Sequence, residues 1–166
     1  MTNRRIRSAL PTDYESINVL YAALDEHHRR LEPTRYQCYE GPARPREGYL
    51  RCLKSDSWEV WVAERDSVVV GFAKAERLEA PPYPMFRTRR TVCVHDLCVH
   101  PGARKKGIGE ALMRAVSEWS KGQGATHLEL SVMQSNSIAA GFYERLGFQP
   151  IRIHLEREID ASPPTV

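Results

Sequence analysis

The sequence predicts one domain of the α+β class, and two observations carry that prediction. Segments that alternate apolar and polar residues, as half-buried strands do, are interspersed with segments that repeat apolar residues at helical spacing. The chain has 166 residues, 42% of them hydrophobic, which is enough to form one core. We therefore expect a single domain over residues 4–159 and a flexible tail over 160–166.

The segments before residue 79 predict two helices and a hairpin. Apolar residues recur at helical spacing after Asp13, a residue type that favours helix N-termini. Strand-like runs over 58–64 and 68–78 flank a turn at 65–67 and indicate an antiparallel hairpin. The other elements predicted in this half are a strand over 6–10 and a helix over 46–53.

The segments after residue 79 begin with a proline-rich loop. Prolines at 81, 82 and 84 exclude a central strand there, because proline lacks the amide that a sheet ladder needs. A nearly continuous apolar run over 91–99 predicts a strand buried on both faces. The other predicted elements are a helix from about Gly107 to Gly122, a strand over 127–133, a helix over 138–146 between Asn136 and Gly147, and strands over 148–152 and 154–159.

Composition and charge argue against several classes of protein. No run of about 18 apolar residues predicts a membrane span and no apolar signal segment follows the first residues, so we expect a cytoplasmic protein without a membrane partner. The formal net charge of +3 is too small to require nucleic acid, although basic residues cluster at 87–90 and 104–106. The four cysteines contain no Cys-x-x-Cys pair, and we expect them to be reduced.

His95 and Asp96 stand in adjacent positions of the apolar strand. Burying two ionisable groups is costly unless they have partners, so they are either satisfied structural residues or groups that carry chemistry. A zinc site built from the cysteines and histidines between Cys93 and His100 is excluded by length. Seven steps of about 3.3 Å spread those residues over roughly 23 Å, and we expect no metal.

The segment that follows this strand is typical of an anion site. It reads Arg-Lys-Lys-Gly-Ile-Gly over 104–109 and ends where a helix begins. Free amides and the dipole of a helix N-terminus stabilise anions. The segment is not a P-loop, which needs Gly-Lys-Ser/Thr, and not a dinucleotide fingerprint, because Leu112 replaces the third glycine. Solvated lysines around ordinary loop glycines are the other interpretation.

The order of these features resembles the GNAT superfamily of acyl-CoA-dependent N-acyltransferases. The superfamily signature Gln/Arg-x-x-Gly-x-Gly/Ala matches Arg104, Gly107 and Gly109. Its asparagine, followed by a helix that carries Tyr-x-x-x-Gly-Phe, matches Asn136 and the run 143–148. The resemblance covers most of the chain, and its motifs lie in the stretch that begins with the apolar strand.

The resemblance implies a three-layer fold: a mixed, mostly antiparallel central sheet that splays open after a bulge in the fourth strand, with helices on both faces. Acetyl-CoA, the implied co-substrate, would lie in the opening, with its pantetheine arm on the fourth strand and its pyrophosphate on the glycine loop. The residues implied to bind it are Leu97, Cys98, Val99, Arg104, Lys105, Lys106, Gly107, Ile108, Gly109, Glu110, Asn136 and Tyr143.

The implied chemistry, acetylation of an amine, needs a base and an acid. An amine attacks a thioester only when it is neutral, so a base must remove a proton, and the departing thiolate needs an acid. His95 and Asp96 are the candidate bases, and both remain open. The hydroxyl of Tyr143 is the implied acid. Relatives that acetylate polyamines carry Glu-Asp-Leu where this chain has His-Asp-Leu, and the missing carboxylate weakens the case for a strongly cationic substrate.

We therefore predict an N-acetyltransferase that moves acetyl from acetyl-CoA to a primary amine of a small molecule or peptide, by direct attack in a ternary complex. The loop 76–90 and the segment 27–39 are the expected acceptor walls. Relatives are often homodimers, and strands after Phe148 would supply the contact. The alternative is an acyl-CoA sensor or subunit that uses the same pocket with little turnover. A nucleic-acid partner is not expected, because the basic clusters border the implied pyrophosphate site.

Overall fold

The structure is a computed structural model that describes residues 4–159. These residues form two compact units, and the boundary falls after Ser131. The strands all lie in the first unit: β1 Arg4–Ser8, β2 Trp58–Arg65, β3 Val68–Leu78, β4 Thr91–Val99 and β5 His127–Leu130. The helices are α1 Tyr14–Leu31, α2 Arg46–Leu53 and α3 Ile108–Gly122 in the first unit and α4 Ser137–Arg145 in the second.

The five strands form one mixed sheet in the order β1-β2-β3-β4-β5. Strands β1 to β4 pair with their neighbours in antiparallel fashion, whereas β5 runs parallel to β4. A parallel pair needs a crossover connection, and α3 lies in that connection. This confirms the predicted mixed and mostly antiparallel sheet.

Helices cover both faces of the sheet, as predicted. Side chains alternate between faces along a strand, so Trp61 and Val62 of β2 point in opposite directions. Trp61 meets Trp119 of α3 edge to face, with 5.6 Å between ring centroids. Val62 lies in a buried cluster with Tyr21 of α1 and with Phe72, its partner on β3. Therefore α3 packs on one face and α1 on the other, where α2 joins it through Cys52 and Leu53.

Several predicted elements have the predicted bounds. The helix over 46–53 and the strand over 91–99 are confirmed at the same residues. The predicted hairpin is formed by β2 and β3, whose turn places Asp66 and Ser67 at φ 50° and 64°. The first strand was predicted over 6–10 but occupies Arg4–Ser8, because Pro11 begins a short 3₁₀ turn and Leu10 lies 51% exposed beside it.

The predicted last strands, over 148–152 and 154–159, are wrong. In the described part of the chain, no residue after Leu130 belongs to a strand. Ile151, Ile153 and Leu155 do alternate, but they are 76%, 80% and 92% exposed. Alternation shows which face a strand could bury, whereas a strand also needs a hydrogen-bonded partner. The predicted tail over 160–166 lies outside the described residues.

Two further properties concern the described residues only. None of their helices has the length and apolar character needed to cross a membrane. The four cysteines are free thiols, of which Cys98 is buried and Cys38 exposed.

Candidate active site

A bulge in β4 places two ionisable side chains on the same face of the sheet. Lys74 of β3 pairs with Asp96 and the next residue, Ala75, pairs with Val94, so His95 has no partner on β3. An extra residue of this kind interrupts the alternation of side chains and re-aims them. His95 and Asp96 consequently both lie on the face that carries α1 and α2, instead of pointing to opposite faces.

His95 is held between an acid and an aromatic ring. Its Nε2 lies 2.9 Å from Oε2 of Glu76 on β3, and its ring stacks on Trp58 of β2 with 4.7 Å between centroids. An ionised carboxylate only accepts hydrogen bonds, so Nε2 carries a hydrogen and the lone pair of the neutral ring is on Nδ1. The His95 side chain is 36% exposed, which corrects the expectation of a strand buried on both faces.

Asp96 is tied into the protein by one hydrogen bond and one ion pair. The hydroxyl of Tyr21 donates to Oδ2 of Asp96 at 2.8 Å, and Nζ of Lys74 lies 3.7 Å from the same oxygen. Burial and the nearby Asp96 carboxylate raise the pKa of Tyr21, so this hydroxyl stays a hydrogen-bond donor. The Lys74 ammonium also lies 4.6 Å from the centroid of the Trp58 ring. A cation thus already sits on the aromatic face beside His95.

The segment after α1 is anchored next to this cluster. Asp25 of α1 accepts two hydrogen bonds from the guanidinium of Arg44, at 2.8 and 2.9 Å, and one from the hydroxyl of Tyr39 at 2.8 Å. The same guanidinium lies 4.5 Å from the ring centroid of Tyr21, whose hydroxyl reaches Asp96. The end of the expected acceptor wall over 27–39 is therefore connected to the candidate base through side chains.

A cleft of about 250 Å³ opens between α2 and the start of β2. Trp58 forms part of its wall, and the same ring stacks on His95. The remaining lining residues are Gly48, Arg51, Cys52 and Ser55. This wall, and the roles of Trp58, Lys74 and Tyr21, are not predicted by the sequence. The only signal in the sequence was a tryptophan at the start of a strand.

The sheet opens immediately after the bulge. The pairing of β4 with β5 ends at Val94 and Leu130, whereas β4 continues to Val99. The amide of His100 donates to Val70 on the β3 side. Successive backbone amides of a strand point to opposite neighbours. The amides of Leu97 and Val99 therefore point away from β3, toward the edge of β4 where the pairing with β5 has ended. The predicted splay in the fourth strand is confirmed.

The loop 104–109 leads directly into α3. Gly107 precedes the helix at φ 72° and Lys105 lies at φ 59°. The first helical hydrogen bond runs from Ala111 to the carbonyl of Gly107, so the amides of Ile108, Gly109 and Glu110 precede the ladder. The N-cap residue, Gly107, has no side chain with which to cap this N-terminus. These free donors fit a pyrophosphate.

Side chains brace this loop from three directions. Nε of Arg104 donates to the carbonyl of Val99 at 3.0 Å, and Nη1 of Arg4 donates to the carbonyl of Lys106 at 3.0 Å. Nζ of Lys106 lies 3.3 Å from the carbonyl of Gly102. Two of the implied phosphate-binding side chains, Arg104 and Lys106, therefore support the backbone of the loop, and the loop amides remain available.

The thiols near the site are poor nucleophiles. Cys98 is buried, its Sγ lies 3.4 Å from the carbonyl of Leu20, and burial raises its pKa to about 11. Burial, with Glu129 and Glu76 nearby, also raises the pKa of Cys93. The thiolate is the reactive form of cysteine, so neither thiol is suited to carry an acetyl group. Among residues 4–159, no group of three or more metal-ligating side chains comes together.

The second unit contains the other two residues implied by the motif. Oδ1 of Asn136 accepts from the amide of Ala139 at 3.2 Å and so caps α4, as predicted. The ring of Tyr143 lies edge-on to Phe142 and to Phe148, with centroids 5.3 and 5.8 Å away. Ile138, in the first turn of the same helix, is 82% exposed.

Comparisons with known proteins agree with this geometry. The family model described as Acetyltransferase (GNAT) family matches residues 21–148. Streptothricin acetyltransferase from Streptomyces lavendulae is 39% identical over 83 residues, which are 50% of this chain and 40% of that protein. The chain spans half or less of the length of the first curated relatives that it matches.

Solved structures share the fold. A tetramutant of the BH1408 protein from Bacillus halodurans aligns with a TM-score of 0.88 at 24% identity, over 93% of this chain and 99% of that one. The aminoglycoside N-acetyltransferase AAC(6')-Iy, solved in complex with CoA, aligns with a TM-score of 0.71 at 21% identity, over 95% and 96%. The family model covers most of the chain, and the splayed sheet and the glycine loop are both present. The chain belongs to the GNAT acetyltransferase family.

Proposed function

We propose that this protein is an N-acetyltransferase that moves acetyl from acetyl-CoA directly to a primary amine of a small molecule. The bulge in β4 carries the proposal. It brings His95 and Asp96 to one face, next to Glu76 and Trp58, at the point where the sheet opens. Acetyl-CoA supplies the acetyl group as a thioester, and the residues of this chain bind it and move the protons.

The binding of acetyl-CoA is assigned to the opened strand and the loop that follows it. The amides of Leu97 and Val99 are available to the pantetheine arm, with Cys98 between them. The amides of Gly107, Ile108, Gly109 and Glu110 receive the pyrophosphate at the N-terminus of α3. Lys105 and Lys106 add positive charge beside Arg104. The motif assigns Asn136 to the pantetheine arm.

The acceptor amine binds, in this proposal, on the face that carries α1 and α2. Glu76 and Asp96 provide two negative charges, of which the Lys74 ammonium offsets one. That ammonium and the His95 ring both lie against Trp58. These groups suit an amine that arrives protonated and must lose a proton. The activities in the names of the relatives, toward streptothricin and aminoglycosides, support a small-molecule acceptor over a peptide.

His95 is the proposed base and Asp96 a positioning residue. Glu76 holds the hydrogen at Nε2, which leaves Nδ1 to accept the amine proton, directly or through water. Asp96 is a weaker candidate, because its Oδ2 accepts from Tyr21 and faces Lys74. The hydroxyl of Tyr143 supplies a proton to the departing sulfur. Transfer without a covalent enzyme intermediate is supported by the raised pKa of Cys98 and Cys93.

The test is release of CoA thiol from acetyl-CoA across polyamines, amino acids, aminoglycosides and peptides, with mass spectrometry of the acceptor. We expect one class to give thiol and N-acetylated product in equal amounts. The His95→Ala variant should lose this activity, whereas His154→Ala, a change at an exposed histidine of the second unit, should keep it. Binding of CoA with no product from any amine would overturn the proposal in favour of an acyl-CoA sensor.

A further inference from the structure

We propose that a second cleft, at the opposite end of β4 from the glycine loop, binds a small dianion such as a phosphate monoester or a dicarboxylate. The cleft has a volume of about 340 Å³, which is the size of a small-molecule site. Three arginines line it together with polar groups: Arg77, Arg89, Arg90, Thr88, Gln123 and Glu79.

The cleft is distinct from the site assigned to acetyl-CoA. Arg89 and Arg90 immediately precede Thr91, the first residue of β4, whereas the glycine loop follows Val99, the last. Eight residue steps of about 3.3 Å separate the two ends of the strand by about 26 Å. An anion at the arginine cleft would therefore be held by different residues from those that hold a pyrophosphate.

The fold holds two of the three arginines in place. Nη1 of Arg77 donates to Oε1 of Gln123 at 3.1 Å, so its guanidinium is oriented by the segment that follows α3. The carbonyl of Arg90 accepts from the amides of Thr126 and His127, and its guanidinium lies against Gly124. A Cβ on that glycine would come within 2.7 Å of Nη1 of Arg90. The positions of these cations are thus built into the structure.

The charge of the cleft is not neutralised. Within the part of the chain that the structure describes, no carboxylate lies within 4.0 Å of the three guanidinium groups. The lining carries three arginines and one glutamate, Glu79, which leaves a formal excess of two positive charges. A dianion matches that excess, and the planar fork of a guanidinium binds carboxylate and phosphate in bidentate fashion.

The position of the cleft also indicates what the anion does. Arg77 is the penultimate residue of β3, Arg89 and Arg90 end the proline-rich loop, and Gln123 follows α3. An anion bound to these groups would add ionic contacts among segments that already meet through the hydrogen bonds of Arg77 and Arg90. Its binding should therefore stabilise the folded protein.

Calorimetric titration with inorganic phosphate and with succinate, at constant ionic strength, tests the proposal without acetyl-CoA or an acceptor. Acetate serves as the monoanion. We expect phosphate, succinate or both to bind at least fivefold more tightly than acetate. Phosphate represents a phosphate monoester and succinate a dicarboxylate, so the two titrations show which kind of dianion the cleft binds. The Arg89→Gln and Arg90→Gln variants should each weaken the binding at least fivefold.

Arg87→Gln is the matched control, because Arg87 lies in the same loop but does not line the cleft. It should bind within twofold of the wild type. Equal weakening in all three variants would show a diffuse charge effect and overturn the proposal. Unchanged binding in Arg89→Gln and Arg90→Gln, or no heat from either dianion, would overturn it as well. Thermal unfolding of each variant without anion confirms that the comparison is between folded proteins.

Discussion

The contacts of His95 support its proposed role as the base. Glu76 and Trp58 hold its ring from two sides, and the lone pair of the neutral ring is then on Nδ1. A protonated imidazole has no lone pair to offer. The proposed acetylation should therefore be slower under acidic conditions, because a protonated His95 cannot accept the proton of the amine.

The His95→Ala variant tests this role. We expect kcat/KM to fall by about 10² or more, the range typical of a lost general base, and the acidic limb of its pH profile to disappear. The profile is measured by thiol release between about pH 5 and 9. An unchanged rate and an unchanged limb would transfer the role to Asp96, and Asp96→Asn would then remove the limb.

Tyr143→Phe tests the proposed acid. The change removes only a hydroxyl from a ring that is supported by Phe142 and Phe148, so fold and acetyl-CoA affinity should be retained. We expect kcat to fall at least roughly tenfold without a matching rise in KM for acetyl-CoA, which indicates a role in the transition state. A loss confined to KM would make Tyr143 a binding residue, and an unchanged kcat would leave it a packing residue.

Between elements, Arg7 ties together β1, β2 and the start of α1. Its guanidinium donates to both carboxylate oxygens of Asp13, at 2.7 and 2.9 Å, and its Nε donates to Glu64 at 3.0 Å. Asp13 also accepts from the amide of Leu10 at 2.7 Å. The hydrogen bonds from Arg7 hold the pKa of the Asp13 carboxyl below its usual range, against the opposing effect of burial.

Asp13→Asn should therefore destabilise the protein by about 2 kcal/mol at pH 7, the usual range for lost hydrogen bonds to a charged group. Because the pKa of Asp13 is lower in the folded state, the unfolded chain takes up the proton first once the pH falls below about 4. The contribution declines from there and is lost as the pH falls through the lower pKa of the folded state. Urea unfolding should show that the difference in the free energy of unfolding between variant and wild type is smaller at pH 3 than at pH 7.

Glu26→Gln, which breaks exposed pairs with Arg29 and Arg30, is the control and should change the free energy of unfolding much less at either pH. A difference that persists at pH 3 would contradict the prediction.

For the whole molecule, ligand binding should appear as thermal stabilisation. At about 100 times its Kd, a ligand adds about 2.7 kcal/mol, which for a chain of this size raises Tm by about 5–10 °C. We expect this of CoA or acetyl-CoA, and much less of NAD or ATP. Gly109→Val should abolish most of the shift, because its side chain would occupy the approach of the phosphate to the amides of α3.

A Gly109→Val variant that unfolds at the wild-type temperature without ligand makes this comparison valid. No shift of the wild type at roughly 1 mM CoA, well above ordinary Kd values for such ligands, would count against the assigned site. A full shift in the variant would contradict only the role of the loop amides.

The predicted homodimer is also a property of the whole molecule. The apolar residues Ile151, Ile153, Leu155 and Ile159 are 76–92% exposed, and contiguous exposed apolar residues often mark a contact surface. Light scattering should give twice the chain mass of 19.0 kDa, and Leu155→Lys should give a monomer. Arg152→Ala, a polar position of the same segment, is the control. A wild-type mass of 19.0 kDa would refute the dimer.

Local patterns in the sequence determined much of this protein. Proline positions, helical spacing and apolar runs predicted α2 and β4 at the residues where they occur. Gly107 and Gly147, two of the motif glycines, adopt φ of 72° and 86° at helix ends, a backbone conformation that glycine reaches at no steric cost. Such features depend on a few neighbouring residues, so a single sequence reveals them. The family followed from the spacing of the same motifs.

Only the tertiary structure decided how the candidate site is assembled. The bulge that turns His95 and Asp96 to the same face arises from the register between β3 and β4, which no local pattern encodes. The same pairing brings Glu76 and Trp58, from two other strands, to the ring of His95. The segment after Phe148 shows the opposite case. Its apolar residues alternate as in a strand, but no neighbouring strand pairs with them and no strand forms. Register and partner choice depend on contacts between distant segments, and that is the physical reason why the sequence predicted His95 and Asp96 as candidates but not how the structure assembles the site around them.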